Sequence, residues 1–221
     1  MKSLKNWLLV LSVLSCFGCS SPVHEDGRGC AFVSDSIQYR VEFMSEGCVR
    51  ILSFPEGDTL VTKRLVVDSE KPAFKDYKWE DTGQKLLFRT RELSVVFDKA
   101  DAAFIFQETS TGKLLLKEKG DRKARNFKRS VAGGEQCLEV TQRFVPTEDE
   151  AIYGLGQYQN GIMNYRGKSV LLLQANMDIV NPFLISTNGY GVLWDNYSST
   201  KFEDTKEGYS FTSEVGDASD Y

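Results

Sequence analysis

A single histidine, His24, is all the imidazole in 221 residues. It stands ahead of the first clear strand pattern, so the folded part is expected to hold none. That excludes a Ser-His-Asp or Cys-His nucleophile pair and a His-ligated metal. Any chemistry would fall to carboxylates, tyrosines, lysines or backbone groups. No CxxC occurs among the five cysteines, which removes the usual redox and zinc spacings, and there is no Asp-x-Asp-x-Asp calcium loop. Long apolar runs are lacking too. Trp7–Leu14 (WLLVLSVL) falls short of the about 20 residues that span a hydrocarbon core of roughly 30 Å. Positive charge is not in excess: 27 Lys and Arg against 31 Asp and Glu leave a net charge of −4, which argues against nucleic acid as a partner. No internal repeat or low-complexity tract is present, and no motif calls for a cofactor.

The N-terminus has its own logic. Lys2 and Lys5 precede the apolar run, the order of a secretory signal, assigned here to residues 1–18. The run ends in Cys16-Phe17-Gly18-Cys19. A small residue directly before a cysteine resembles a bacterial lipobox, with Cys19 as the lipid attachment point, although Cys16 stands where Leu is commoner. The alternative is an ordinary cleaved signal with an incidental cysteine. On the lipid reading the protein is exported, to the periplasm or outer membrane, and touches the membrane only through Cys19. Residues 19–35 read as a polar tether. Export permits a disulfide, but Cys30, Cys48 and Cys137 are odd in number and cannot be paired from sequence; Cys48 and Cys137 read as small buried hydrophobes.

Beyond the tether the chain reads as strand after strand. Ser36–Phe43, Gly47–Ser53 and Thr59–Val66 alternate apolar and polar residues, with Gly- and Pro-containing turns between them. Lys85–Glu92, Ser94–Phe97, Ala103–Glu108, Leu114–Lys117 and Cys137–Phe144 continue the series. Lys71–Lys78 reads as a linker and Asp121–Arg129 (DRKARNFKR) as a solvated basic loop. No long helical apolar period interrupts them. The fold class expected is all-β, an antiparallel sandwich, over residues 36–221. About 190 residues suffice for one such domain with a real core.

Tyr153–Tyr197 is the richest stretch, mixing Gly, Asn, Gln and aromatics with short apolar runs. Rings to stack on and amides to hydrogen-bond hydroxyls suit a sugar ligand. The order of motifs from Gln38 onward, YRVEFMSEGCVRILSFPEG, LSVVFDKADAAFIFQETSTGKLLLKEK, TEDEAIYGLGQYQNG, PFLIS and STNGYGVLWDNYS, resembles the N-terminal, galactose-mutarotase-like β-sandwich of glycoside hydrolase family 31. The NYRGK run resembles the α-xylosidase branch.

This resemblance implies a retaining α-glycosidase of α-xylosidase or α-glucosidase type. Such an enzyme needs two carboxyl groups about 5–5.5 Å apart, and in the family both are Asp residues of a (β/α)8 catalytic barrel. No Trp-x-Asp-Met motif of that barrel occurs in this chain; Trp79-Glu80-Asp81 and Trp194-Asp195-Asn196 have the wrong spacing. The chain is thus expected to be truncated before the barrel and to hold no catalytic residue and no metal. The partners implied are that barrel and an oligosaccharide or polysaccharide of xyloglucan or α-glucan type. In the family a loop of the sandwich offers an acid to the substrate. Asn176-Met177-Asp178 lies where that loop belongs, so Asn176 and Asp178 are the substrate-binding candidates; the same tripeptide also reads as an Asx-type turn. Gln157, Asn160 and Tyr165 are expected to support the loop. The pairs Gly154/Gly156 and Gly189/Gly191 suggest bulges or close backbone approach. Gly154-Leu155-Gly156 is no phosphate loop, lacking a third glycine and a following helix. A stand-alone glycan-binding lipoprotein is the alternative.

Overall fold

The computed structural model describes residues 22–60, 65, 66, 72–120 and 125–221. Every regular element among them is a β-strand. The N-terminal sheet joins β1 (His24–Glu25), β2 (Cys30–Ser34), β3 (Ile37–Ser45) and β4 (Cys48–Pro55), and closes with the last strand, β18 (Ser219–Asp220). A second sheet is a meander of β5 (Lys78–Asp81), β6 (Lys85–Arg89), β7 (Leu93–Asp98), β8 (Ala103–Glu108) and β9 (Leu114–Lys117). The third runs β10-β11-β17-β16-β13, from Arg125–Ala132, Glu135–Phe144, Gly208–Gly216, Thr200–Thr205 and Ser169–Leu172. The fourth, β12-β14-β15, is built from Ile152–Gln157, Ile179–Ser186 and Tyr190–Leu193. Strand pairing is antiparallel throughout the described residues, from Cys30↔Val41 in the first sheet to Leu184↔Val192 in the fourth.

Alternation explains which side each sheet buries. In β8, Phe104 and Phe106 are buried while Ile105 and Gln107 are only partly covered. The same period puts Phe32 and Tyr39 from the first sheet against Phe97 and Phe104 from the second, with ring centroids 4.8 to 6.5 Å apart. In the third sheet Phe202, Tyr209 and Phe211 are fully buried, and Trp194 stacks on Phe211 at 5.5 Å. All four sheets feed one continuous core. Burying one such ring contributes on the order of 2–3 kcal/mol, so these aromatics decide which faces meet. Much of the 12 % aromatic content is therefore core.

Several expectations need correcting. Arg125–Arg129, read as basic loop, opens β10, because it pairs with β11 along Arg125↔Gln142 to Ala132↔Glu135, with Lys128 in an ion pair to Glu139 at 3.6 Å; the remainder of that loop lies outside the described residues. Cys30–Ser34 belongs to the sheet rather than to a tether, since Cys30 and Phe32 alternate into the core. His24 is likewise in the first sheet, exposed and paired with Ala31. Cys30 is the buried cysteine, its thiol pushed up to about 11 by burial; Cys48 is exposed and Cys137 half-buried. Thr59, Leu60, Leu65 and Val66 are not in a strand, and the rest of that expected strand, like the signal segment 1–18, Cys19 and Lys71, lies outside the described residues. Pro72–Tyr77 has no regular structure, as expected of a linker.

Candidate substrate-facing hairpin

The sugar-like stretch is held by a buried polar frame. Thr147 and Glu150 close a tight turn, with the Thr147 N–H and hydroxyl donating to Glu150 Oε2 at 2.8 and 3.2 Å. The other oxygen of Glu150, a residue only 5 % exposed, accepts from Ser186 Oγ at 2.7 Å and from the Tyr190 hydroxyl. Tyr190 and Tyr209 have their phenols pushed well above the ordinary range, by burial first, so they stay protonated. Arg166 donates to buried Asp204 at 2.7 Å and to the carbonyls of Thr147 and Glu150 at 3.1 and 2.8 Å. Gly167 N–H donates to the same Asp204 oxygen, and Asn164 Oδ1 accepts from Ile152 and Arg166 N–H. The TEDEA and NYRGK motifs are thus one brace under β12 and β14.

Both glycine pairs are structural. Gly154 and Gly156 have φ of 103° and 118° and flank a bulge in β12 whose Leu155, at φ 66°, is fully buried. A Cβ on Gly156 would sit 2.1 Å from the Ile179 carbonyl oxygen. Gly189 makes the turn from β14 to β15, and a Cβ on Gly191 would meet the Phe183 ring at 2.8 Å.

Between β13 and β14 the chain turns through an exposed hairpin. Ala175 and Asp178 bridge across a turn whose Met177 has φ 70° and is 67 % exposed. Gln174 holds the turn: its Nε2 donates to the Asp178 carbonyl at 2.8 Å and its Oε1 accepts from Val180 N–H at 3.1 Å. Asn176 and Asp178 are therefore brought together on one tip, Asn176 exposed and Asp178 partly so. The backbone and Gln174, rather than an Asx side chain, hold this turn. Gln157 pairs with Ile179 at the foot of the hairpin. Asn160 accepts from Ile162 N–H at 2.9 Å, and Tyr165 is buried edge-on to Phe202. Tyr158 donates to the Leu155 carbonyl at 3.0 Å; burial, with Tyr165 and Asp178 adding, pushes its phenol up to about 12.

The tip can offer sugar hydroxyls an amide and a carboxylate, donor and acceptor together. It supplies one carboxyl group, not the pair that glycoside cleavage needs. The two Trp–acid runs do other work. Trp194 is fully buried with Nε1 donating to Ser213 at 2.9 Å, and Trp79 Nε1 donates to Glu25 at 3.2 Å. Among the described residues no group of three or more His, Cys, Asp or Glu could hold a metal. Apolar side chains are also exposed along these strands and the segments that join them. Tyr153 and Ile185 are cross-strand partners at 37 % and 52 % exposure, and Leu171, Leu173, Met163 and Ile179 are also open.

Glu150, Arg166, Asp204 and Gln174 are the residues that sequence reasoning missed. A Thr-x-x-Glu spacing at Thr147–Glu150 was the available signal, since a carboxylate three residues on can reach back to the threonine N–H.

The comparisons with known proteins agree with this architecture. The family described as glycosyl hydrolase 31 N-terminal galactose mutarotase-like domain matches residues 38–203. An α-xylosidase of Saccharolobus solfataricus is 34 % identical over 178 residues, covering 74 % of this chain and 23 % of its own length. A family 31 glucosidase of Pseudescherichia vulneris is 36 % identical over 97 residues, which cover 44 % of this chain and 18 % of its own. The crystal structure of an α-xylosidase from Xanthomonas citri superposes with a TM-score of 0.73 at 31 % identity, covering 83 % of this chain and 20 % of that one. This chain therefore spans about a fifth of the relatives it matches. With four antiparallel sheets around one core and a matched span over most of its length, the chain belongs to the family of glycoside hydrolase 31 N-terminal galactose mutarotase-like domains.

Proposed function

We propose that this domain is the non-catalytic front of a retaining α-glycosidase, of α-xylosidase or α-glucosidase type, that packs on a catalytic barrel and lends it the Asn176–Asp178 hairpin as part of the sugar site. The observation that carries the reading is the hairpin itself. An exposed amide and a carboxylate stand on a tip clipped by Gln174, so less order has to be gained on binding. The open apolar residues along β12 and β14, Tyr153, Ile179 and Ile185 among them, suit burial against another part of the same protein. The similarity to α-xylosidases supports a xyloside or glucoside as substrate.

Kinetics of the full-length enzyme on aryl α-xylosides and α-glucosides test it. Asp178→Ala is expected to raise KM about tenfold, the loss of one charged hydrogen bond of roughly 1.5 kcal/mol, with kcat changed less than KM. Asn176→Ala should act in the same direction but more weakly. Unchanged KM in both variants would remove the hairpin from the sugar site.

A further inference from the structure

The sequence holds two Asn-Gly dipeptides, Asn160-Gly161 and Asn188-Gly189. An asparagine followed by glycine carries a latent reaction. The glycine backbone nitrogen can attack the side-chain amide carbon, Cγ, because no side chain on the glycine obstructs the approach and its backbone turns freely. In a folded protein the reaction depends on three atoms: the attacking nitrogen, the departing Nδ2, and the oxygen Oδ1 on which negative charge develops.

The fold treats the two sites in opposite ways. At half-buried Asn188 both nitrogens are engaged. Gly189 N–H donates to the Ser186 carbonyl at 3.1 Å, and Asn188 Nδ2 donates to the carbonyls of Leu114 and Leu115 at 2.9 and 2.7 Å. Asn160 and Gly161 are exposed, in the segment between β12 and β13. There neither Gly161 N–H nor Asn160 Nδ2 has a hydrogen-bond partner among the described residues. The bond that the Asn160 side chain does make is to the third atom, since Ile162 N–H donates to Oδ1 at 2.9 Å. This Asx turn curls the side chain over the Asn160–Gly161 peptide, whose nitrogen is the nucleophile. A donor already aimed at an oxygen that becomes an oxyanion lowers the barrier to forming it. Gly161 has φ 69°, and nothing lies within 4 Å of where its Cβ would be, so the ring has room to close.

We propose that Asn160 is a self-modifying site that deamidates in the folded protein, whereas Asn188 is held against the same reaction. Gly161 N loses its proton to a base in solution and bonds to Asn160 Cγ. The Cγ–Nδ2 bond breaks, and Nδ2 takes up a proton and leaves as ammonia. Water then opens the five-membered succinimide at one of its two carbonyls. One opening leaves aspartate at 160; the other leaves isoaspartate, whose backbone runs through the former side chain. No oxidant or reductant enters. Both products place a negative charge three residues past Gln157, at the foot of the Asn176–Asp178 hairpin. Isoaspartate also lengthens the main chain by one carbon between Tyr158, which donates to the Leu155 carbonyl, and Tyr165, whose N–H donates to the Ile152 carbonyl. The inference rests on these hydrogen bonds and does not depend on the glycosidase reading.

Peptide mapping by mass spectrometry tests it. The full-length protein is incubated at mildly alkaline pH, both folded and unfolded in guanidinium, and the peptides holding Asn160 and Asn188 are followed with time. Unfolded, the two sites are expected to deamidate at similar rates, since both are Asn-Gly. Folded, Asn160 is expected to react about tenfold faster than Asn188 or more, ~1.4 kcal/mol of barrier, with isoaspartate among its products. The rate at Asn160 should rise with pH, because the attacking nitrogen must lose its proton. Gly161→Ala, which sets a methyl beside that nitrogen, is expected to slow Asn160 and leave Asn188 unchanged. Equal folded-state rates at the two sites, or faster reaction at Asn188, overturn the proposal. So does an Asn160 amide that reacts in the unfolded chain and persists in the folded one.

Discussion

Replacing Gly156 by Ala is expected to destabilise the domain by about 3 kcal/mol or more. At φ 118° an L-residue is strained by on the order of 1–3 kcal/mol. The added carbon would also lie 2.1 Å from the Ile179 carbonyl oxygen and 2.9 Å from Asn181 N. Both of those are backbone atoms of β14, so the clash is relieved only by parting β12 from β14, where Gly156 pairs with Val180. Gly112→Ala is the control: φ is positive there too, at 72°, but nothing lies within 4 Å of the new carbon, and about 1 kcal/mol is expected. Urea unfolding followed by circular dichroism compares them; equal losses would mean that the close approach of β12 to β14 is not what fixes this glycine.

Arg166→Ala is expected to cost about 3 kcal/mol. Asp204 has a side chain 1 % exposed, and without the guanidinium it remains a buried carboxylate with only the Gly167 N–H to meet it. Breaking one partner of such a pair costs about 3–5 kcal/mol; Arg166 keeps 26 % of its side-chain exposure, which favours the lower end. Two carbonyls, of Thr147 and Glu150, also lose a donor. Arg166→Lys should recover only part of the loss, because an ammonium cannot span the same three acceptors with a planar fork. Unfolding midpoints of the two variants measure this. A wild-type midpoint in Arg166→Ala would show that the brace bears no load.

The strand framework was legible because its signal is local. Ala103–Glu108 and Leu114–Lys117 have the bounds that alternation and the Thr-Gly turn predict. The basic character of Arg125–Arg129 hid a strand, since Phe127 alone among these five residues is apolar and packs on the core. Cys30–Ser34 was missed because its five residues follow a polar tract without a break in composition. The hairpin's position was legible from motif order, but its holding residue was not. Gln174 acts through backbone groups four and six residues away, and no composition marks that. The Glu150–Tyr190–Ser186 and Arg166–Asp204 contacts join residues 36 to 40 positions apart in sequence, a distance no periodicity reports.

The measurement that tests the central claim most directly is a side-by-side assay of the 221-residue chain and the full-length protein on aryl α-xylosides and α-glucosides. Release of the aryl group by the full-length protein alone is the result expected, because the described domain offers one candidate sugar-facing carboxyl group where the reaction needs two. Turnover by the isolated chain, lost on Asp178→Ala, would contradict the assignment of this domain as the non-catalytic partner.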